Sequence, residues 1–259
     1  MALNDEELER YARHLVLREV GGVGQARIRK ARVLLVGTGG LGSPAALYLA
    51  AAGVGTLGLV DDDRVSLSNL QRQILFRGQD VGRLKVEAGA EALAALNPGT
   101  RVEAHPVRLT ADNALDLIGR YDIVADGSDN FATRFLVADG CFFAQKTLVS
   151  AAVTEFDGQL GTYKAFDKGG VYPCYRCLFP AAPEHAPNCS ETGVLGAAAG
   201  VMGALQALEV LKEIADIGEG LAGKLLIYEA LATRFRTVSV SPDPECALCG
   251  AHASIHGLA

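Results

Sequence analysis

The first part of the chain alternates short apolar runs with stretches of helical periodicity. The apolar runs predict strands at residues 33–36, 56–61, 102–107, 121–125 and 148–153. The periodic stretches predict helices at residues 43–52, 81–96, 112–119 and 130–145. Another predicted helix begins after Asn4, which forms a capping-box pattern with Glu7, and runs through Leu15. Strands that alternate with helices indicate a parallel sheet with crossover helices, and therefore an α/β fold.

The pattern changes after Thr154. Residues 159–166 alternate between polar and apolar side chains, which predicts an antiparallel strand. Next come a loop rich in Cys and Pro at 172–190, a helix at about 195–214, and strands at 224–228 and 235–240. We therefore expect a mainly parallel sheet with an antiparallel C-terminal extension. No repeat or linker interrupts the sequence, so we expect one domain over residues 1–259, with a first part at about 1–153 and a second at about 154–250.

Composition narrows the class of protein. Hydrophobic residues make up 49% of the 259 residues, which suits a packed core, and the net charge of −6 argues against a nucleic-acid binder. The acidic N-terminus lacks a secretory signal. Residues 33–60 and 192–208 carry no charge, but glycines break the first stretch and the second is barely long enough to cross a bilayer. We therefore predict a soluble, cytoplasmic protein.

A glycine pattern of the form G-x-G-x-x-G follows the first predicted strand of the sheet and opens a helix. Its glycines are Gly37, Gly39, Gly40 and Gly42. Glycines let the backbone approach a phosphate closely, and a helix N-terminus favours the anion. Asp61 ends the next strand, where a carboxylate meets a ribose hydroxyl in Rossmann-like folds. A glycine turn without a ligand is the alternative, and the motif alone does not separate a nicotinamide enzyme from an adenylate-forming one.

A polar stretch from Asp61 to Gln73 favours phosphate chemistry over hydride transfer. Phosphoryl transfer needs positive charge near the phosphates, and Arg72 and Lys85 suit that role. Asp129 follows a buried strand, where an acidic side chain can hold Mg²⁺ through oxygen. Each of these residues alone is explained equally well as a solvated charge, and for Lys85 on a helix that is the default. Several of them together at strand ends are harder to dismiss.

Six cysteines are present, and four of them form two C-x-x-C pairs. The pairs are Cys174 with Cys177 and Cys246 with Cys249. In a reducing compartment such pairs predict a tetrahedral, structural Zn²⁺ site without a catalytic role, and disulfides are the alternative. Cys141 lies in an apolar helix and is expected in the core.

Taken together, these motifs closely resemble the MoeB/ThiF family, bacterial relatives of the ubiquitin-activating enzymes. The resemblance covers about residues 7–250 and is carried by residues 32–73, Val81-Gly82-x-x-Lys85, Ser128-Asp129-Asn130, Cys174-Tyr175-Arg176-Cys177 and Cys246-x-x-Cys249-Gly250. It implies a Rossmann-like fold and a homodimer. It also implies that each active site uses ATP to adenylylate the terminal glycine of a ubiquitin-like sulfur carrier such as MoaD or ThiS, with release of pyrophosphate.

The resemblance completes the expected ATP site. Its members are Gly37, Gly39, Gly40, Gly42, Asp61, Asp63, Asn69, Arg72, Gln73, Lys85, Asp129 and Asn130. By motif position, Asn69 and Arg72 resemble phosphate contacts, Lys85 the lysine that steadies phosphate charge, and Asp129 the Mg²⁺-linked carboxylate. Arg13 resembles the arginine that reaches the ATP of the partner subunit, an assignment that rests on the resemblance alone. Residues of about 154–250 would bind the carrier and the zinc ion.

The expected chemistry needs no protein base, because the carrier's carboxylate is already ionised at neutral pH. None of the five histidines is therefore required, and two of them lie in a C-terminal tail that we expect to be frayed. Cys189 matches a cysteine that forms a thioester or acyl-disulfide with the carrier in some family members and is dispensable in others. An idle loop thiol is the alternative.

Three questions stay open at this stage. The carrier could serve thiamine, molybdopterin or cysteine synthesis or tRNA thiolation. The chain ends soon after Cys249, so we expect no fused rhodanese domain and a separate sulfur donor, a cysteine desulfurase or a rhodanese. The other function classes are an NAD-dependent oxidoreductase with the same glycine loop, and a non-catalytic relative that binds partners.

Overall fold

The computed structural model describes residues 3–166, 171–182 and 193–258. An eight-stranded sheet lies at the centre of this described part, in the order β3-β2-β1-β4-β5-β6-β7-β8. The strands are β1 Arg32–Val36, β2 Thr56–Val60, β3 Arg101–His105, β4 Ile123–Asp126, β5 Thr147–Thr154, β6 Asp157–Tyr163, β7 Lys224–Glu229 and β8 Arg234–Ser239. The pairs among β1 to β5 are parallel, and β6, β7 and β8 add in antiparallel fashion. This confirms the predicted mainly parallel sheet with an antiparallel C-terminal extension.

Helices cover both faces of the parallel half. They are α1 Asp5–Arg10, α2 Ala12–Leu15, α3 Gly21–Lys30, α4 Gly42–Ala51, α5 Lys85–Leu96, α6 Ala111–Gly119, α7 Phe131–Phe143, α8 Tyr175–Leu178 and α9 Gly196–Ala215. Successive side chains of a strand point to opposite faces. Val33 and Leu35 of β1 therefore pack into the core below α3, α4, α5 and α9, whereas Leu34 and Val36 pack below α6 and α7. Burial on both faces explains why these strands are uniformly apolar.

The prediction for the N-terminal helix is correct at the start of the helix and wrong at its end. Asn4 and Glu7 form the predicted capping box, but the helix breaks at Tyr11 and resumes as α2. Tyr11 is buried, and its hydroxyl accepts a hydrogen bond of 2.9 Å from Asn97. Helix α3 escaped prediction because Gly21, Gly22 and Gly24 weaken its helical signal.

The helix predicted over residues 81–96 begins only at Lys85. The preceding segment pairs with the chain after β2 instead, because Gly82 adopts a φ of 90° and its N–H donates to the carbonyl of Val65. The N–H of Lys85 then donates to the carbonyl of Asp63 at 3.0 Å. This pairing brings the start of α5 against the end of β2.

The C-terminal segment is ordered by contacts that periodicity does not show. Short helix α8 lies inside the region predicted as loop, and Leu258 packs against the core beneath α6 and α7. The expectation of a frayed tail is therefore wrong for the described residues, because Ile255 also packs beside the cysteine pairs. Among the described residues, no helix has the length and apolar character needed to span a bilayer.

Candidate functional site

A cleft of about 300 Å³ opens at the carboxyl ends of β1, β2 and β4. Ligands of open α/β sheets bind at this edge. Most of the predicted nucleotide residues line the cleft, namely Gly37, Gly39, Gly40, Asp61, Asp63, Arg72, Gln73, Lys85, Asp129 and Asn130. Gly42 and Asn69 are not among its lining residues.

The glycine turn needs its glycines for two different reasons. Gly37 has a φ of 84°, which side chains with a Cβ rarely adopt, and its N–H donates to the carbonyl of Val60 at the end of β2. A Cβ on Gly42 would lie 1.9 Å from the carbonyl oxygen of Gly37, so Gly42 permits the close packing of α4 on the turn. Gly42 thus allows α4 to pack closely against the turn, and Gly39 and Gly40 line the cleft.

Hydrogen bonds fix the carboxylate of Asp61 at the cleft wall. Its Oδ2 accepts from the backbone N–H of Thr38 at 2.9 Å and from the Thr38 hydroxyl at 2.8 Å. Its Oδ1 accepts from the backbone N–H of Asp63 at 3.0 Å. Asp61 therefore joins the glycine turn to the end of β2.

Lys85 is buried, with 5% of its surface exposed, although it stands at the first position of a helix. Its ammonium nitrogen lies 2.6 Å from Oδ2 of Asp63 and 3.8 Å from Oδ1 of Asp61. The default interpretation of a solvated helix charge is therefore wrong for Lys85. The bridge between Arg64 and Leu84 places this cation in the cleft.

The loop after β4 is held from below by a buried carboxylate. Asp126 accepts from the backbone N–H of Ser128 at 3.0 Å and from the hydroxyl of Ser150 at 3.2 Å. Burial raises the pKa of Asp126, and the positive charge of Arg134 opposes that shift. Arg134 also donates two hydrogen bonds, of 3.2 and 3.1 Å, to the carbonyl of Ser128.

Asp129 and Asn130 stand on this fixed loop with exposed side chains. Asn130 caps α7 by accepting from the N–H of Thr133 at 2.9 Å, and its amide donates to Asp129 at 3.4 Å. The carboxylate of Asp129 is thus presented to the cleft by a rigid base. Sequence reasoning missed Arg134, although its position four residues after Asn130 places it one helical turn above the loop.

Two buried polar atoms on the cleft wall have no hydrogen-bond partner within the described part of the chain. They are the Oε1 of Gln73 and the hydroxyl oxygen of Ser128, on side chains that are nearly buried. Buried polar groups are nearly always paired, so a polar ligand in the cleft would satisfy both. Together with the glycine turn and the two cations, these atoms fit a nucleotide.

The remaining predicted residues of the polar stretch lie nearby with other contacts. Arg72 is half-buried, passes over Gly40, and donates to the carbonyl of Ser68 at 3.1 Å. The side chain of Asn69 accepts from the N–H of Ser66 at 3.2 Å and so stabilises a short 3₁₀ turn. Its contact with phosphate stays a prediction. Arg13 is exposed on α2, away from the cleft lining.

A second cleft of about 430 Å³ adjoins the first between β5, β6, β7 and α8. Tyr163, Tyr175 and Phe179 give it an aromatic wall. Both clefts are lined by Asp129, Asn130, Arg134 and Val153. A molecule in the second cleft would therefore reach the nucleotide cleft beside Asp129.

The four cysteines of the C-x-x-C pairs converge as predicted. Their sulfurs all lie within 4.8 Å of one another, with Cys174 at 3.7 Å from Cys177 and 3.5 Å from Cys246, and Cys177 at 3.4 Å from Cys249. A disulfide requires about 2.05 Å, so these contacts are not disulfides. A tetrahedral ion with bonds of about 2.3 Å holds its sulfurs about 3.8 Å apart. The four thiols therefore fit a zinc ion in geometry and in chemistry.

The pKa shifts within this cluster differ in direction. Burial acts to raise the pKa of Cys246, but hydrogen bonds from the backbone N–H groups of Cys249 and Leu248 contribute to a net lowering. Burial raises the pKa of Cys249 to about 12 and also raises that of Cys174, to which the neighbouring thiols add. A bound cation would reverse these upward shifts by stabilising the thiolates. Cys141 lies in the core, as expected, and its burial raises the pKa of the thiol. Cys189 lies outside the described residues.

Comparison with known proteins decides the family. The family model of the ThiF family matches residues 11–248. The chain belongs to the ThiF family. The resemblance drawn from the sequence is thereby confirmed, and the dehydrogenase alternative loses its support.

Close relatives within the ThiF family carry adenylyltransferase names. The sulfur carrier protein adenylyltransferase of Thermus thermophilus is 48% identical over 253 residues, which cover 96% of this chain and 93% of that protein. The adenylyltransferase and sulfurtransferase MOCS3 of Bos taurus is 49% identical over 260 residues, which cover 99% of this chain but 56% of that protein. The chain thus spans little more than half of the two-activity relative.

A solved structure supports the fold. Crystalline MccB of E. coli, in complex with MccA-N7isoASN, superposes with a TM-score of 0.82 at 22% identity, over 95% of this chain and 76% of that chain. At this identity the likeness shows the fold alone.

Proposed function

We propose that this chain is an ATP-dependent adenylyltransferase that activates the C-terminal glycine carboxylate of a ubiquitin-like sulfur-carrier protein. The observation that carries the proposal is the meeting of two clefts at Asp129. One cleft combines the glycine turn with Lys85 and Arg72, and the other has a volume of about 430 Å³ and an aromatic wall. The names of the similar proteins, which describe adenylyltransferases, support the same reaction.

The reaction joins a carboxylate to the α-phosphate of ATP. A carboxylate oxygen of the carrier attacks the α-phosphorus, the bond to the bridging oxygen breaks, and pyrophosphate leaves with that electron pair. No base is needed, because the nucleophile is ionised at neutral pH. The enzyme must therefore align the reactants and stabilise the charge that moves to the pyrophosphate.

The cleft residues divide this task between them. Gly39 and Gly40 let the phosphates approach the backbone, and Asp61, held by Thr38, receives the ribose hydroxyls. Lys85 and Arg72 face the phosphates as cations. Asp129 offers an exposed carboxylate that fits Mg²⁺ as an oxygen ligand, and the bound ion would neutralise phosphate charge.

The second cleft is the proposed entry for the carrier's C-terminal segment. Its aromatic wall suits apolar contact with an extended chain, and its shared border with the nucleotide cleft would place a terminal carboxylate beside Asp129. A tail that ends in Gly-Gly fits because the border is formed by the larger side chains of Asn130, Arg134 and Val153. Glycine residues fit through a border of this kind because they have no side chain.

Two structural proposals accompany the reaction. The four-cysteine cluster holds one Zn²⁺ that joins α8 to the C-terminal segment. Two chains associate as a homodimer in which Arg13 reaches the partner's ATP. The exposed side chains of Tyr48 and Leu208 line a groove together with His14, the neighbour of Arg13 in the chain, and support such an association.

We also propose that sulfur is supplied by a separate protein, a cysteine desulfurase or a rhodanese. The described cysteines are poor sulfur carriers, because four belong to the zinc cluster and Cys141 is buried. Cys189 remains the one candidate for a covalent link to the carrier. The pathway served by the carrier, whether molybdenum-cofactor synthesis, thiamine synthesis or tRNA thiolation, follows from the identity of that carrier.

The decisive experiment is ATP–pyrophosphate exchange by the purified chain with a carrier that ends in Gly-Gly. Exchange should require the carrier, and a carrier that lacks its last glycine serves as the matched control. Exchange in neither case, together with tight binding of NAD, would overturn the proposed function. Exchange that is independent of any carrier would point to a different group as the acceptor of the adenylyl group.

A further inference from the structure

Helix α8, which carries the first cysteine pair, lies along one face of α7. Phe131, Phe135, Asp139 and Phe143 of α7 recur at the spacing of one helical turn, and all four face α8 or the cysteine cluster. Phe131 meets Phe179 at 6.3 Å between ring centroids, and Phe135 meets Tyr175 at 5.5 Å. Near the end of α7, Phe143 packs against the cysteine cluster.

One charged pair lies within this aromatic contact. Arg176, between Cys174 and Cys177, donates from Nε to one carboxylate oxygen of Asp139 at 2.8 Å and from Nη2 to the other at 2.7 Å. The exposed fractions of the side chains are 19% for Arg176 and 8% for Asp139. The guanidinium also lies over the ring of Phe135 at 4.6 Å.

This pair has a property that the surrounding rings lack. Aromatic and apolar contacts tolerate sliding and rotation, whereas a bidentate guanidinium–carboxylate pair fixes both distance and angle. Such a pair adds little net stability over an apolar replacement when it is buried. The role that suits this pair is therefore to fix the position of α8 relative to α7.

The position of α8 determines the shape of the second cleft. Tyr175 and Phe179 belong to α8 and its end, and both line that cleft. Tyr175 is the central ring, 5.3 Å from Tyr163 and 4.9 Å from Phe179 between centroids. A shift of α8 along α7 would move two of the four aromatic rings that line the second cleft, which are Phe131, Tyr163, Tyr175 and Phe179.

We infer that Arg176 is a positioning residue for the carrier, acting through Asp139 to hold Tyr175 and Phe179 at the wall of the second cleft. The inference rests on the proposed function, since the occupant of that cleft is the carrier's C-terminal segment. It assigns the pair to carrier recognition. The hydrogen bonds of Asp61 and Asp126 that support the nucleotide cleft do not involve α8, and Arg134 is the one support described above that lines both clefts.

The test separates the two substrates. Arg176→Lys keeps the positive charge but loses the bidentate geometry, and Asp139→Asn keeps the shape of the acceptor while leaving the cysteine loop unchanged. Both variants should raise the KM for the carrier by roughly three- to ten-fold and leave the KM for ATP within about two-fold. Arg32→Lys is the matched control, because Arg32 pairs with Glu103 at 3.2 Å and neither residue lines either cleft.

Two further measurements exclude a merely structural effect. The double variant Arg176→Met with Asp139→Leu should regain the thermal stability lost by the single variants, because no charge is left unpaired, but should keep the raised carrier KM. A synthetic peptide that ends in Gly-Gly, titrated against tyrosine fluorescence, should bind each variant more weakly by a similar factor. Tyr163 and Tyr175 of the cleft are two of the seven tyrosines, and the chain has no tryptophan, so a change in tyrosine fluorescence on binding is read without a tryptophan background. Zinc content should stay at one ion per chain.

The outcomes are distinct. An unchanged carrier KM in Asp139→Asn overturns the inference, and so does a loss of ATP affinity as large as the loss of carrier affinity. If neither single variant folds, the double variant decides, and a normal carrier KM in that protein also overturns it. Absence of carrier-dependent exchange in the unaltered chain would refute the proposed function instead.

Discussion

The ammonium group of Lys85 lies 2.6 Å from the carboxylate of Asp63, at the mouth of the nucleotide cleft. The lysine is buried, whereas the Asp63 side chain is 68% exposed, so the charge of the lysine is directed into the cleft and its partner is free to stay in water. A triphosphate that enters the cleft can therefore replace Asp63 as the partner of Lys85, and the exposed carboxylate of Asp63 then stays solvated by water.

Lys85→Met should accordingly lower adenylylation strongly at little cost in stability. Removal of a preorganised cation that faces developing phosphate charge should reduce the rate of pyrophosphate exchange about 100-fold or more. The melting temperature should change little, because water solvates Asp63 in the variant. Lys30→Met, an exposed lysine on α3, is the matched control. Exchange within a factor of two of the unaltered chain would remove Lys85 from the phosphate site.

Asp129→Asn tests the proposed Mg²⁺ ligand. The side chain is exposed and its contact with Asn130 is long, at 3.4 Å, so the variant should fold with an unchanged melting temperature. Loss of the carboxylate should reduce pyrophosphate exchange by about 100-fold or more, with a higher Mg²⁺ requirement. Asp112→Asn, an exposed aspartate on α6, should exchange normally. A variant of Asp129 that works at ordinary Mg²⁺ concentration would contradict the assignment.

The sequence identified the cleft well because its chemistry is local. The glycine turn, Asp61 and the polar stretch follow one another along the chain, and their contacts are fixed by strands that the apolar pattern already shows. Convergence of the two cysteine pairs was also predictable, because the C-x-x-C spacing carries the ligand geometry. Such features depend on few contacts between distant residues.

The supports of the site were not predictable in the same way. Asp126, Arg134 and Gln206 act through contacts between distant elements, and Gln206 of α9 donates to the carbonyls of Asp126 and Val149 across the ends of β4 and β5. Lys85 was placed inside a helix because residues 81–84 have helical periodicity, but pairing with residues 63–65 overrides that preference. Tertiary hydrogen bonds of this kind leave no periodic signal in the sequence.

The cysteine cluster gives a prediction for metal and stability together. Purified protein should contain one zinc ion per chain, measured by atomic emission. Cys249→Ser should lose most of that zinc and lower the melting temperature by roughly 10 °C, because the cluster joins α8 to the C-terminal segment. Cys141→Ala is the matched control, since this buried thiol lies outside the cluster and its loss should leave the zinc content unchanged. Zinc-free protein with full stability would refute the site.

The buried carboxylate of Asp126 predicts a dependence of stability on pH. Its pKa in the folded chain is raised by burial, whereas in the unfolded chain it titrates near about 3.9. Between these values the folded state binds the proton more often, so the contribution of Asp126 to stability falls as the pH rises through this window.

Asp126→Asn keeps both hydrogen bonds of the side chain, since Oδ1 still accepts from the N–H of Ser128 and the amide can donate to Ser150. The difference in melting temperature, variant minus unaltered chain, should therefore increase as the pH rises from about 4 towards neutrality. Asp112→Asn should show a flat difference over the same range. A flat difference would mean that Arg134 compensates the buried charge fully, and a difference that shrinks with rising pH would mean that it lowers the pKa of Asp126 below the unfolded value; either result would contradict the prediction.

Arg13 offers a test of the dimer that does not depend on sedimentation alone. Its side chain is exposed on α2 and makes no hydrogen bond or ion pair within residues 3–166, 171–182 and 193–258, and in the proposed homodimer it would contact the partner's ATP. Arg13→Ala and Asp129→Asn should each be nearly inactive when pure. In a mixed dimer one site carries both lesions, and the other takes Asp129 from one chain and Arg13 from its partner. After unfolding and refolding of an equal mixture, about a quarter of the sites should be intact, and exchange should return to about that fraction of the unaltered level. Absence of any recovery would show that Arg13 serves the site of its own chain or none.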